Sequence, residues 1–117
     1  RIENMEENKK KYFYITTPIY YASGNIHIGH TYCCTAADVI ARYKRMDGYS
    51  VRFMTGSDEH GQKIQAKAEA AGLAPQAYVD KIAQSFKDVW KAMNISYDYY
   101  VRTTDSYHVA TVQKVFT

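Results

Sequence analysis

An α/β fold built around a parallel βαβ unit is what three observations predict for this 117-residue chain. Two runs rich in aromatic and β-branched residues, Tyr12 to Thr17 and Ser50 to Thr55, read as buried strands. Between them, from Gly29 to Gly48, apolar residues recur at helical spacing until a glycine stops the pattern. Strand, helix and strand in that order close with a right-handed crossover and parallel strands, and such sheets bind ligands beyond the carboxyl ends of their strands. Both connections after the strands carry polar residues, so the stretches Ile19 to His30 and Gly56 to His60 are expected to converge on one crevice.

Each element has its own reason. Residues 1–11 are polar and end in Lys9-Lys10-Lys11, which reads as a flexible, solvated tail. Pro18 ends the first strand, Ala22-Ser23-Gly24-Asn25 supplies turn formers, and Ala36, Ala37, Val39, Ile40 and Tyr43 mark the apolar positions of the helix. Ser57 or Asp58 is placed to cap a second helix from near Gln62 to Ala71, stopped by Gly72, with Lys63 and Lys67 on a solvated face. Pro75 opens a longer helix whose stripe of Tyr78, Ile82, Phe86, Val89, Trp90 and Met93 is expected in the core. Asn94-Ile95-Ser96 breaks it, Tyr97 to Val101 has strand composition, and Thr103-Thr104-Asp105 caps a last helix.

Composition narrows the classes. At 46% hydrophobic residues the chain is not a disordered segment, and 15 Lys and Arg against 12 Asp and Glu give a net charge of +3, too small to argue for nucleic acid by itself. No apolar run is long enough to span a membrane. Cys33 and Cys34 are adjacent within the helical pattern, where they cannot easily pair, and no CxxC spacing suggests zinc. They read as small buried residues in a reducing compartment, so a soluble, cytoplasmic protein is expected.

The chemistry concentrates where the first strand meets the first helix. Such a junction aims backbone N–H groups, at the positive end of the helix dipole, toward an anion, most readily a phosphate. Gly29 permits close approach, and His27 and His30 can donate hydrogen bonds to charge developing on a phosphoryl oxygen. Asp58-Glu59-His60 in the other connection is open to three readings from the residues alone: helix cap, metal ligands or substrate site. A zinc site of His27, His30, Asp58 and His60 has suitable ligand types, but the two histidines flank a glycine turn and do not share one helix face.

His27-Ile28-Gly29-His30 spells the HIGH signature of class I aminoacyl-tRNA synthetases. With Thr16-Thr17-Pro18-Ile19-Tyr20-Tyr21 before it and Thr55-Gly56-Ser57-Asp58-Glu59-His60-Gly61-Gln62-Lys63-Ile64 after it, the stretch from Tyr12 to the end resembles the methionyl-tRNA synthetase family. Ser57 stands where that pattern has Thr, and Ala22 where many relatives have Pro.

The resemblance implies a Rossmann-type nucleotide-binding fold. Residues 12–117 would be the N-terminal part of its catalytic domain, incomplete because a KMSKS-like loop, a cysteine-rich insertion and an anticodon-binding domain are absent. It implies ATP with Mg2+ as substrate, methionine and tRNA as partners, no membrane, and any zinc only in parts outside this chain. It assigns His27, Gly29 and His30 to ATP, Asp58 to the α-ammonium of methionine, and Ile19 and Tyr21 to its side chain, with His60 touching substrate or orienting Asp58. Catalysis would belong to the full-length enzyme, the isolated chain being inactive. The remaining alternatives are a non-catalytic ATP- or methionine-binding fragment and a small HxGH nucleotidylyltransferase.

Overall fold

A computed structural model describes residues 10–117. Eight elements follow in order: β1 (Tyr12–Thr16), β2 (Tyr20–Tyr21), α1 (Ile28–Met46), β3 (Ser50–Asp58), α2 (Gln62–Ala70), α3 (Pro75–Ala92), β4 (Tyr99–Arg102) and α4 (Ser106–Phe116). The tail expected over residues 1–11 lies outside the described residues except for its last two. Of these, Lys11 already borders the sheet: its carbonyl accepts the Ser50 N–H at 2.8 Å, and its ammonium lies 5.6 Å from the Tyr49 ring centroid.

Every strand pairs with β3, and every pairing is parallel. Met54 pairs with both Thr16 and Tyr99, and Ser57 with both Tyr20 and Arg102, so β4 occupies one side of β3 while β1 and β2 run in line along the other. Thr16 faces Met54 but Tyr20 faces Ser57, so three residues of the edge span two of β3. That bulge holds Pro18, which has no N–H for the ladder. β3 itself is longer than the sequence suggests, continuing through Gly56 and Ser57 to Asp58. Gly56 allows this because a Cβ there would run into the Val101 carbonyl oxygen of β4.

The core lies on one face of the sheet. Val51 and Phe53 of β3 meet Cys34, Ala37 and Ala41 of α1 and Val79, Ile82, Phe86 and Trp90 of α3, with Phe53, Phe86 and Trp90 fully buried. The α3 stripe is therefore as expected at its centre, while Met93 is exposed. α1 differs from expectation: Val39 and Tyr43 are each 60% exposed, and its buried positions are Cys34, Ala37, Asp38 and Ala41. Small residues let the helix lie close to the sheet, a demand that hydrophobicity alone does not register.

Asp38 is buried because it is fully partnered. One oxygen accepts the Ser96 N–H at 2.7 Å and its hydroxyl at 2.5 Å, and the other accepts from Arg42 at 2.7 Å. Burial alone would raise its pKa, but the Ser96 and Arg42 hydrogen bonds outweigh that and hold the carboxyl below its ordinary value. Arg45 donates to the Ser96 hydroxyl and carbonyl, and Asp98 accepts the Phe53 N–H of β3 at 2.8 Å. These bonds tie α1 to the α3–β4 link, which Asn94 opens in the left-handed conformation (φ 55°) that ends helices.

On the opposite face no described helix covers the sheet. Tyr12, Tyr14 and Arg52 are exposed there, and the Tyr14 hydroxyl lies 3.6 Å from the Met54 sulfur.

Candidate active site

Two groups of residues assemble at the carboxyl end of the sheet. The first is the start of α1. His27 is the N-cap, in an extended conformation, and its Nδ1 accepts the Gly29 N–H at 3.1 Å. His30 reciprocates: its Nδ1 accepts the His27 N–H at 3.1 Å. The two rings lie 3.8 Å apart between centroids, tilted by 33°. Gly29 is small for a visible reason, since a Cβ there would stand 2.9 Å from the His27 ring.

This local folding changes what the turn can offer an anion. The sequence leads to an expectation of free first-turn amides. Gly29 N–H is taken by His27, and the His30 and Thr31 N–H groups both reach the His27 carbonyl, leaving Ile28 N–H as the one without an acceptor among the described residues. The outward donors are then chiefly the ring Nε2 atoms.

Beneath the histidines sits Tyr20, to which the sequence assigns no role of its own. It belongs to β2, is buried, packs edge-on to His30 at 4.9 Å and against Trp90 at 5.7 Å, and donates its hydroxyl to the His30 carbonyl at 3.3 Å. Phe86 of α3 completes this support, 6.4 Å from the His30 ring. Burial, then the neighbouring His27, lowers the pKa of His30. No periodicity in the sequence marks Tyr20's role, because β2 is only two residues long.

The second group surrounds Asp58. It is the last residue of β3, not part of a loop, and its register partner is Tyr21. The Ala22 N–H donates to the Asp58 carbonyl at 2.8 Å. Ile19 and Tyr21 remain 40% and 36% exposed, so the edge preceding the histidines presents one aliphatic and one aromatic side chain beside a carboxylate. The cap of α2 is not Ser57 or Asp58 but Gly61, with φ 131° and no side-chain cap bond. A Cβ on Gly61 would displace the Tyr21 hydroxyl, and the backbone angle itself favours glycine.

Glu59 is the residue whose role the sequence hides. Its carboxylate accepts from the Ser57 hydroxyl at 2.8 Å, Arg102 Nε at 2.7 Å and the Thr104 hydroxyl at 2.5 Å, while its N–H donates to the Thr103 hydroxyl at 2.9 Å. Arg102 also reaches Asp80 of α3 at 2.6 Å. The Glu59 carboxylate, then Asp80, raises the Arg102 pKa. His60 Nε2 donates to the Thr103 carbonyl at 3.1 Å, turning its ring to the β4 side, and its own N–H lies 3.5 Å from an Asp58 oxygen. Asp58 is thus flanked by residues anchored to the end of β4.

Among the described residues no three His, Cys, Asp or Glu side chains are grouped to hold a metal ion. Cys33 and Cys34 are unpaired thiols, and burial pushes Cys34 up to about 11. No described helix is long and apolar enough to cross a membrane.

Residues 13–117 match the family of tRNA synthetases class I (M). The chain is 60% identical over 107 residues to a methionine–tRNA ligase of Clostridium tetani, covering 92% of this chain and 17% of that protein. It is 60% identical over 111 residues to methionine–tRNA ligase 1 of Bacillus cereus, covering 95% and 16%. In structure it resembles the Mycobacterium tuberculosis methionyl-tRNA synthetase in complex with methionyl-adenylate, with TM-score 0.82 and 46% identity over 84% of this chain and 19% of that one. It also resembles the leucyl enzyme of an Agrobacterium radiobacter ternary complex, LeuRS–tRNA–LeuAMS, with TM-score 0.84 and 27% identity over 95% and 15%. The chain therefore spans 16 to 17% of the length of these curated relatives.

Proposed function

This chain belongs to the class I tRNA synthetases, in the methionine group, and from that premise we propose that it supplies the HIGH half of a methionine-activating site in a longer protein. In the proposed reaction a methionine carboxylate oxygen attacks the α-phosphorus of ATP. The bond to the β-phosphate oxygen breaks, pyrophosphate leaves, and methionyl-adenylate remains. A hydroxyl of the terminal ribose of tRNA then attacks the activated carbonyl and AMP departs.

The observation that carries this reading is the pair of imidazoles held side by side at the start of α1, just beyond β2. Their Nε2–H groups are donors suited to the charge that grows on the phosphoryl oxygens, preorganised before substrate arrives. Asp58 is assigned to the methionine ammonium, a charge-assisted bond in a half-buried position. Ile19 and Tyr21 are assigned to the thioether side chain. His60, turned to Thr103, is assigned to holding the strand end beside Asp58. Gly29 keeps the His27 ring close to the helix start. Mg2+ enters with ATP as part of the substrate, and tRNA is bound mainly by parts of the protein outside these residues. The relatives' names and the methionyl-adenylate in the mycobacterial complex support the substrate assignment.

Methionine-dependent ATP–pyrophosphate exchange in the complete protein tests the reading. Replacing His27 with Ala is expected to raise the activation barrier by about 2 to 4 kcal/mol, with the KM for methionine nearly unchanged. Unchanged exchange would remove His27 from the phosphates and with it the core of the proposal.

A further inference from the structure

The cap of α1 is built from titrating groups. Helix N-caps are commonly oxygen side chains that accept hydrogen bonds over a wide pH range. Here both reciprocal acceptors are imidazole nitrogens: His27 Nδ1 for the Gly29 N–H and His30 Nδ1 for the His27 N–H, each at 3.1 Å. A ring nitrogen accepts only when it carries no proton, and a neutral imidazole holds its single N–H on the other nitrogen. We propose that His27 and His30 form an acid-released cap. Neutral and protonated on Nε2, they fold the first turn and aim two donors outward; a proton on either Nδ1 replaces an acceptor with a donor facing a donor, and the turn opens.

The surroundings of His30 favour its neutral ring. The two imidazoles stack at 3.8 Å, so a charge on one opposes a charge on the other. From β2, Tyr20 meets His30 edge-on and gives its hydroxyl to the backbone, and from α3 Phe86 contributes only an apolar ring. From α2, the Lys67 ammonium lies 3.6 Å from where a Gly24 Cβ would stand, adding positive charge beside the preceding turn. Among the described residues no carboxylate forms an ion pair with either imidazole. The sign follows. For His30 folding favours the uncharged ring, so its half of the cap is complete above the ordinary histidine value of about 6.5 and is lost as pH falls through its lowered folded value. If the turn binds phosphate, as proposed above, that affinity declines on acidification even though the rings gain positive charge.

The test is long-range proton–nitrogen NMR on this chain with 15N-labelled histidine, followed through an acid titration. At neutral pH both rings are expected to show a bare Nδ1 and a protonated Nε2, and the Gly29 and His27 amide signals are expected to move in step with ring protonation. An Nδ1–H form of either ring, or amides that stay still while the rings titrate, would overturn the proposal. The variant His27→Asn supplies an oxygen acceptor that does not titrate while His30 still does, so its Gly29 amide should move less than in the parent chain over the same pH range; movement equal to that in the parent chain would count against the cap. None of these readouts needs nucleotide, so they can fail while pyrophosphate exchange succeeds, and the reverse.

Discussion

Arg102 and Glu59 show how much at this site depends on a single pair. The Glu59 carboxylate is wholly buried, and among the described residues Arg102 is its one cationic partner. Removing the guanidinium leaves a desolvated carboxylate held by the Ser57 and Thr104 hydroxyls. Arg102→Met is therefore expected to cost about 3–5 kcal/mol in urea denaturation, the usual penalty for orphaning one half of a buried pair, whereas adding Glu59→Gln should restore part of that loss. At this scale the sequence was uneven in what it disclosed. His27, His30 and Asp58 stand in a contiguous pattern of chemical groups, so their neighbourhood could be read directly. Glu59 could not be told from its acidic neighbour, because its partners Arg102 and Thr104 are brought to it by the pairing of β3 with β4.

Among the elements, α3 supports the site from below. Phe86 is fully buried and faces the His30 ring, and Trp90 backs Tyr20. Phe86→Ala is expected to lower stability by about 3–5 kcal/mol in the same denaturation measurement through the cavity it leaves. Long periodic elements such as α3 were legible because their stripe extends over several turns. β2 was not, since two residues carry no period and its place depends on hydrogen bonds to Ser57 and Asp58 on a distant strand. The buried side of α1 was read only in part: Ala37 and Cys34 lie inside as expected, with Ala41 beside them for close approach, but Val39 and Tyr43 lie on the opposite side.

Taken together, the described residues cover one side of the sheet and leave wide apolar surface elsewhere. Ile28, Tyr32, Val39, Tyr43 and Met46 are exposed along α1, Tyr12 and Tyr14 on the sheet, and Val115 and Phe116 on α4. Patches of this extent favour association. The variant Tyr14→Lys with Val39→Lys is expected to shift the sedimentation profile of this chain toward monomer while leaving its circular dichroism unchanged; loss of the spectrum would mean that these residues support the fold. The bulge between Thr17 and Tyr20 has a consequence for sidedness that reaches across the whole sheet. Before it, odd-numbered residues face the core, as Phe13, Ile15 and Thr17 do; after it, the even-numbered Tyr20 and Ala22 take that role. The single supernumerary residue inverts the parity of the edge. Deleting one residue there would leave Tyr20 opposite Ser57 and Tyr21 opposite Asp58, on the sides they now take, whereas an edge paired without the bulge would set Ile19 opposite Ser57 and turn Tyr20 away from the imidazoles.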